Sequence, residues 1–163
     1  MAQKTSLAQE AFLPEIDFAN SNNVIATPDE IALVQPVPQP KDYFVQRDGM
    51  LFAGSHVLAD LWGAQNLDNQ ELIERALRAA IEACGATLLH INLHTFTEGG
   101  GVSGVAVLAE SHISVHTWPE RQFAAFDIFM CGGCDPEKAL RVLRAHFQPT
   151  DMQVNLHRRG IVA

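Results

Sequence analysis

The stretch from Gly99 to Cys134, GGGVSGVAVLAESHISVHTWPERQFAAFDIFMCGGC, decides how the chain is read. Val105, Val107 and Ala109 alternate in it, Ile113 and Val115 continue the alternation, and Phe126, Ile128 and Met130 resume it after a break at Pro119. A period of two marks β-strands. Alternate side chains of a strand share a face, which puts Ser114 with His116 and sets Glu110 opposite Ser111. No other span of the sequence concentrates serines, histidines, a cysteine and carboxylates so densely, so a tight site is expected here.

Toward the C-terminus, Asp135 is placed to cap a helix with Pro136 at its first position, carrying Ala139, Leu140, Leu143 and Phe147. A last strand over Gln153 to Leu156 then precedes a basic tail at Arg158 and Arg159. Toward the N-terminus, TLLHINLHTF (87 to 96) alternates as a strand, with His90, Asn92 and His94 together on a polar face. Leu72, Ile73, Ala76, Leu77, Ala80 and Ile81 recur at helical spacing, with Asp68 or Asn69 as cap and Gly85 as stop. Val57 and Ala59 in GSHVLADLWG (54 to 63) predict a strand, and Phe44, Val45, Leu51 and Phe52 around Asp48-Gly49 predict a small hairpin. The order β α β β β α β predicts an α+β fold, a two-layer sandwich in which both helices cover one face of a mainly antiparallel sheet of four or five strands. The other face stays open and invites a second copy, so a homodimer is expected.

Residues 1 to 42 read differently: prolines alternate in VQPVPQP, asparagines cluster upstream, and Phe12, Leu13 and Ile16 keep no sustained period. They are expected to form a flexible N-terminal extension to a domain spanning 43 to 163. Of the 163 residues, 47% are hydrophobic and 18% charged, the balance of one globular domain. The net charge of −8 argues against nucleic acid or an anionic membrane as partner, since both are bound by clustered cations, and it suits a cationic ligand. Three cysteines (Cys84, Cys131, Cys134), no leader pattern and no apolar run near the ~18 residues of a membrane span predict a reduced, cytoplasmic protein.

Taken singly, each serine and histidine of the central stretch reads as a satisfied polar residue. Ser103 has half of a nucleophile elbow in Gly-Val-Ser-Gly, but a strand follows it where a helix is needed, so hydrolase chemistry is weakly supported. Cys131-Gly-Gly-Cys134 is a lone C-x-x-C without partners at zinc spacing, so no metal is expected. Joined in order, ESH (110 to 112), HTWPE (116 to 120) and D-x-F-x-C-G (127 to 132) carry more information. With GVSG before them they resemble the prokaryotic S-adenosylmethionine decarboxylase family of small self-processing pyruvoyl enzymes, over roughly Gly54 to Gly160.

That resemblance implies a role for each matching residue. Oγ of Ser111 attacks the carbonyl of Glu110, the chain parts into 1 to 110 and 111 to 163, and Ser111 becomes a covalent pyruvoyl group, the cofactor. Ser103 supports this processing and His116 accepts the Cα proton of Ser111 in the β-elimination that follows, while Cys131 donates the proton needed in decarboxylation. A histidine is a ready base near neutral pH, and a thiol is mostly protonated there. The pyruvoyl ketone would form a Schiff base with S-adenosylmethionine, with Glu120 on the ribose hydroxyls and Phe96 against the adenine. Loss of CO2 would then give the aminopropyl donor for spermidine synthesis. Asp60, in a family-like LADLWG segment, would support processing or the site of a partner subunit. The segment from Phe96 to Ser103 is glycine-rich and one residue longer than the family pattern, which keeps open a pyruvoyl-dependent arginine or ornithine decarboxylase. A non-catalytic paralogue that regulates an active subunit is the third reading, and retention of Ser111, His116 and Cys131 speaks against it.

Overall fold

A computed structural model describes residues 42–109 and 111–162. The expected extension over 1 to 42 falls outside them except for Asp42. In chain order the elements are β1 (Val45–Arg47), β2 (Met50–Phe52), β3 (Gly54–Trp62), α1 (Gln70–Cys84), β4 (Leu88–Thr95), β5 (Val102–Leu108), β6 (His112–Trp118), β7 (Phe123–Cys131), α2 (Glu137–Phe147) and β8 (Asp151–Arg159). β1 and β2 form their own hairpin, and the remaining strands make one sheet in the order β4-β5-β6-β7-β3-β8. Every neighbouring pair in it is antiparallel. The α+β sandwich expected from the sequence is therefore present, with six strands in the main sheet where four or five were expected.

The added strand comes from a chain reversal that the apolar pattern conceals. Positions 105, 107, 109, 113 and 115 keep one parity, so the alternation reads as uninterrupted. The chain nevertheless folds back between Leu108 and His112, pairing Val107 with His112 and Ser103 with His116. Across that turn the parity changes its meaning: Val107 is exposed on the open face, whereas Ile113 and Val115 are fully buried beneath the helices.

The local signals act as their chemistry requires. Asn69 caps α1 by accepting from the Leu72 amide at 3.0 Å, and Gly85 ends the helix in the left-handed region at φ 74°. Asp135 Oδ1 accepts from the Glu137 amide at 3.1 Å and caps α2, whose preceding Pro136 already has helical dihedrals. The β1–β2 turn places both Asp48 and Gly49 at positive φ, the requirement of a tight two-residue hairpin. Ile73, Leu77 and Ile81 of α1 and Ala139, Leu143 and Phe147 of α2 share one core with Val57, Leu61, Ile113, Val115, Phe126 and Ile128. Each large side chain so buried contributes about 1.5–3 kcal/mol. The opposite face of the sheet carries the polar and aromatic residues. β8 runs further than expected: Arg158 and Arg159 belong to it, the former paired with Asp48 and the latter hydrogen-bonded to His56.

Candidate active site

Strand β6 organises two clusters, one at each end. At its start, Ser111 lies in the reversal from β5, and its carbonyl accepts from the Leu108 amide at 2.9 Å. The antiparallel register that pairs His112 with Phe129 brings the end of β7 beside it. The Cys131 amide donates to Ser111 Oγ at 3.2 Å, and the Cys131 thiol sulfur lies 3.7 Å from that oxygen. Both residues line a cleft of about 850 Å³ whose other walls are residues 42–47, Gly85 to Thr87, Leu108, Ala109 and the turn Gly132 to Cys134. A serine hydroxyl with its oxygen fixed by an amide, next to a thiol and open space, is equipped for covalent chemistry and for delivery of one proton.

At the far end of β6, Ser103 Oγ and His116 Nδ1 are 2.8 Å apart, directly opposite each other in the β5–β6 register. Phe96, Gly101, Trp118 and Glu120 complete a smaller pocket of about 340 Å³ around them. Thr117 holds this corner together. Its buried hydroxyl accepts from the Val102 amide at 2.7 Å and donates to the Leu67 carbonyl at 2.7 Å, so β5, β6 and the approach to α1 meet at one atom. Gly101 is needed there because a Cβ would come within 2.2 Å of the Thr117 carbonyl oxygen. Pro119 then starts a short 3-10 turn that presents Glu120, and Gln122 closes it in the left-handed region. Trp62, Phe123 and Trp118 stack in a row beside the pocket, with ring centroids 4.3 and 5.2 Å apart.

The structure thus groups the residues singled out in the sequence as Ser111 with Cys131, and as Ser103 with His116, Phe96 and Glu120. It does not join the two groups within one chain. His112 and His116 are four residues apart on one strand, about 13 Å at strand spacing, and Ser111 is a residue further. Glu110 falls outside the described residues. Asp60 lies on the open face between Ala125 and Gln153, in the cross-strand row that runs through Ala125 to His116 and Ser103. His90, Asn92 and His94 are exposed along β4.

Sequence reasoning passed over two features. Thr117 sits inside HTWPE, yet nothing in the motif signals that its hydroxyl is buried. The open face also carries a polar row from β8 to β6. Arg159 donates to His56 Nδ1 at 3.2 Å, His56 Nε2 lies 3.3 Å from Asp127 Oδ1, and Ser114 Oγ is 3.5 Å from Asp127 Oδ2. Nδ1 is the acceptor in that contact, and the buried Nε2 makes no hydrogen bond among the described residues. Of the three cysteines, Cys84 is buried in the core, and burial pushes its thiol up to about 11.

Fold and site together define a two-layer α+β domain whose open sheet face bears a serine–cysteine pair and a serine–histidine pair at opposite ends of one strand. The model of the family described as S-adenosylmethionine decarboxylase matches residues 55–160. The chain belongs to that family. It is 46% identical over 110 residues to the S-adenosylmethionine decarboxylase proenzyme of Thermomicrobium roseum, covering 67% of this chain and 95% of that one. The proenzyme of the same name from Methanococcus vannielii is 47% identical over 112 residues, covering 67% and 91%. Among solved structures, the crystal structure of the adenosylmethionine decarboxylase from Aquifex aeolicus superposes with a TM-score of 0.60 at 36% identity, over 69% of this chain and 94% of that one. Among the described residues no helix is long and apolar enough to cross a membrane.

Proposed function

We propose that the chain is the proenzyme of a pyruvoyl-dependent S-adenosylmethionine decarboxylase that cleaves itself between Glu110 and Ser111. The observation that carries this reading is Ser111 Oγ held by the Cys131 amide with the Cys131 thiol 3.7 Å away, at the edge of an open cleft. That setting fits a pyruvoyl group made from residue 111, because the residue lies between two strand ends and borders space that a substrate can enter. Once formed, the group supplies a carbonyl for the substrate amine and takes up the electrons released with CO2.

The chain's own residues do the rest. In processing, Ser111 Oγ, placed by the Cys131 amide, attacks the Glu110 carbonyl carbon; the Glu110–Ser111 C–N bond breaks to leave an ester, and the hydroxyl proton passes to the freed Ser111 amine. Loss of the Ser111 Cα proton to a base expels the Glu110 carboxylate, and water hydrolyses the resulting dehydroalanine to the pyruvoyl group and ammonia. In turnover, the Cys131 thiol stands beside residue 111 and returns a proton to the substrate's α-carbon after CO2 leaves. Glu120 accepts hydrogen bonds from ribose hydroxyls, and the exposed Phe96 ring offers a face to adenine.

His116 near the end of β6, and Ser103 facing it from β5, lie too far from the start of β6 to act on the Ser111 of their own chain. A second copy laid on the open face, its β6 running the opposite way, carries its Ser103–His116 pair to that serine and receives the same in return. The active protein is then a homodimer with two composite sites, a symmetric arrangement of the commonest kind. Its product feeds spermidine synthesis, and its place is the cytoplasm.

The test is an intact mass spectrum followed by CO2 release from carboxyl-labelled S-adenosylmethionine, with labelled arginine and ornithine as controls. The expected result is a cut at Glu110/Ser111, a C-terminal fragment of 163 − 110 = 53 residues carrying the pyruvoyl mass, and turnover of S-adenosylmethionine alone. An uncut chain that is inert with all three refutes the proposal.

A further inference from the structure

We infer that the β1–β2 hairpin and the residues leading into it form a recognition wall for the amino-acid end of the substrate, with Tyr43 as its positioning residue; this rests on the decarboxylase reading above. The hairpin lies before residues 55–160, so the wall is an addition to the part of the chain that the family shares. It nevertheless supplies residues 42–47 to the cleft that holds Ser111 and Cys131.

Its attachment runs directly to the reacting atoms. The Gly132 amide donates to the Tyr43 carbonyl at 2.9 Å, and a Cβ on Gly132 would lie 3.7 Å from Tyr43 Cδ1, so the phenol ring lies against the turn that follows Cys131. The next amide back, that of Cys131, holds Ser111 Oγ. Tyr43 therefore braces the short segment that places both the thiol and the serine. The rest of the hairpin is pinned at its other end. Arg158 pairs with Asp48 and lies 5.4 Å over the Phe52 ring, the Val162 amide donates to the Leu51 carbonyl at 2.8 Å, and the Ala53 amide donates to the Arg159 carbonyl at 2.8 Å.

The wall also has a chemistry. Val45 pairs with Phe52 and Arg47 with Met50, so Val45 and Arg47 share the face on which Phe52 is buried. Arg47 and Asp42 bring one cation and one carboxylate to the lining of the cleft that holds Ser111. Opposite charges on one wall suit a zwitterionic α-amino carboxylate, the group that must be held at residue 111, and do nothing for an adenosine held by the Phe96 and Glu120 that the second copy brings with its Ser103–His116 pair.

The test uses full-length Tyr43→Ala, Tyr43→Phe and Arg47→Gln. It measures self-cleavage, KM for S-adenosylmethionine and the inhibition constant of 5′-methylthioadenosine, which carries the adenosine end alone. Tyr43→Ala and Arg47→Gln are expected to raise KM about ten-fold with the inhibition constant unchanged, and Tyr43→Phe to behave as wild type. An unchanged KM in both, or KM and the inhibition constant rising together, overturns the inference. Arg47 is exposed on β1, so its variant decides the matter even if Tyr43→Ala does not fold. A wild-type chain that neither cleaves nor turns over refutes the decarboxylase reading instead, and is seen before any variant is made.

Discussion

At one end of β6 a serine hydroxyl takes its hydrogen bond from a backbone amide and faces a thiol; at the other end a serine hydroxyl meets an imidazole at 2.8 Å. The first arrangement fixes an oxygen but has no imidazole base in the Ser111–Cys131 pair to take a proton from residue 111. The second offers a base, but its serine lies inside strand β5 with no thiol beside it. Each end has what the other lacks, and the strand between them is too long for one chain to combine them. The difference teaches that one copy does not bring the two ends together, and under the proposed function the unit of chemistry is two copies of one sequence.

The comparison is most sharply broken by removing one member from each end. Cys131→Ala should leave self-cleavage intact and lower kcat by about 10²–10⁴-fold, the usual worth of a positioned proton donor. His116→Ala should do the reverse, leaving an uncut chain with no turnover to measure. Mass spectrometry and CO2 release on the same two samples check both. Equal effects of the two variants on processing would mean that the ends do not divide the work as described.

The Ser111 end and the core differ as well, and Cys84 gauges the core. Its thiol is moved from 9.0 to about 11 by burial, so the folded state favours the neutral form. The stability this provides is fully present below pH 9 and is lost as pH rises from 9 toward 11, because the unfolded chain ionises first. The melting temperature should fall across that window by an amount equivalent to about 2 kcal/mol. In Cys84→Ala, which is less stable at every pH for want of packing, that part of the slope should vanish.

Much of this was legible in the sequence. The caps at Asn69, Gly85 and Asp135 and the Asp48-Gly49 turn are local devices, set by hydrogen bonding and φ within a few residues, and they read directly. The residues that the structure groups at the two ends of β6 stood out too, because three short motifs occur in order around Ser111. What escaped was whatever depends on which face a side chain occupies. The β5–β6 reversal hid behind an unbroken alternation of apolar residues, and with it went the sixth strand. The separation of Ser111 from His116 is concealed by their nearness in sequence. Five residues look close in sequence, but an extended strand carries them some 16 Å apart. The hairpin could be read as a hairpin, whereas its place as a wall of the cleft depends on long-range contacts with Gly132, Arg158 and Val162 that no local pattern encodes.

The most direct test of the composite site is complementation between two inactive chains. Ser111→Ala has no hydroxyl to attack with, and His116→Ala has no base, so neither should cleave alone. Co-expressed, they should form mixed dimers in which the Ser111 of the His116→Ala chain meets the His116 of the Ser111→Ala chain. With random pairing in a two-fold dimer, about half of the His116→Ala chains should then be cut, and none of the Ser111→Ala chains. Intact mass spectrometry separates the two. A mixture that stays wholly uncut, or His116→Ala chains that cleave without help, would contradict the account.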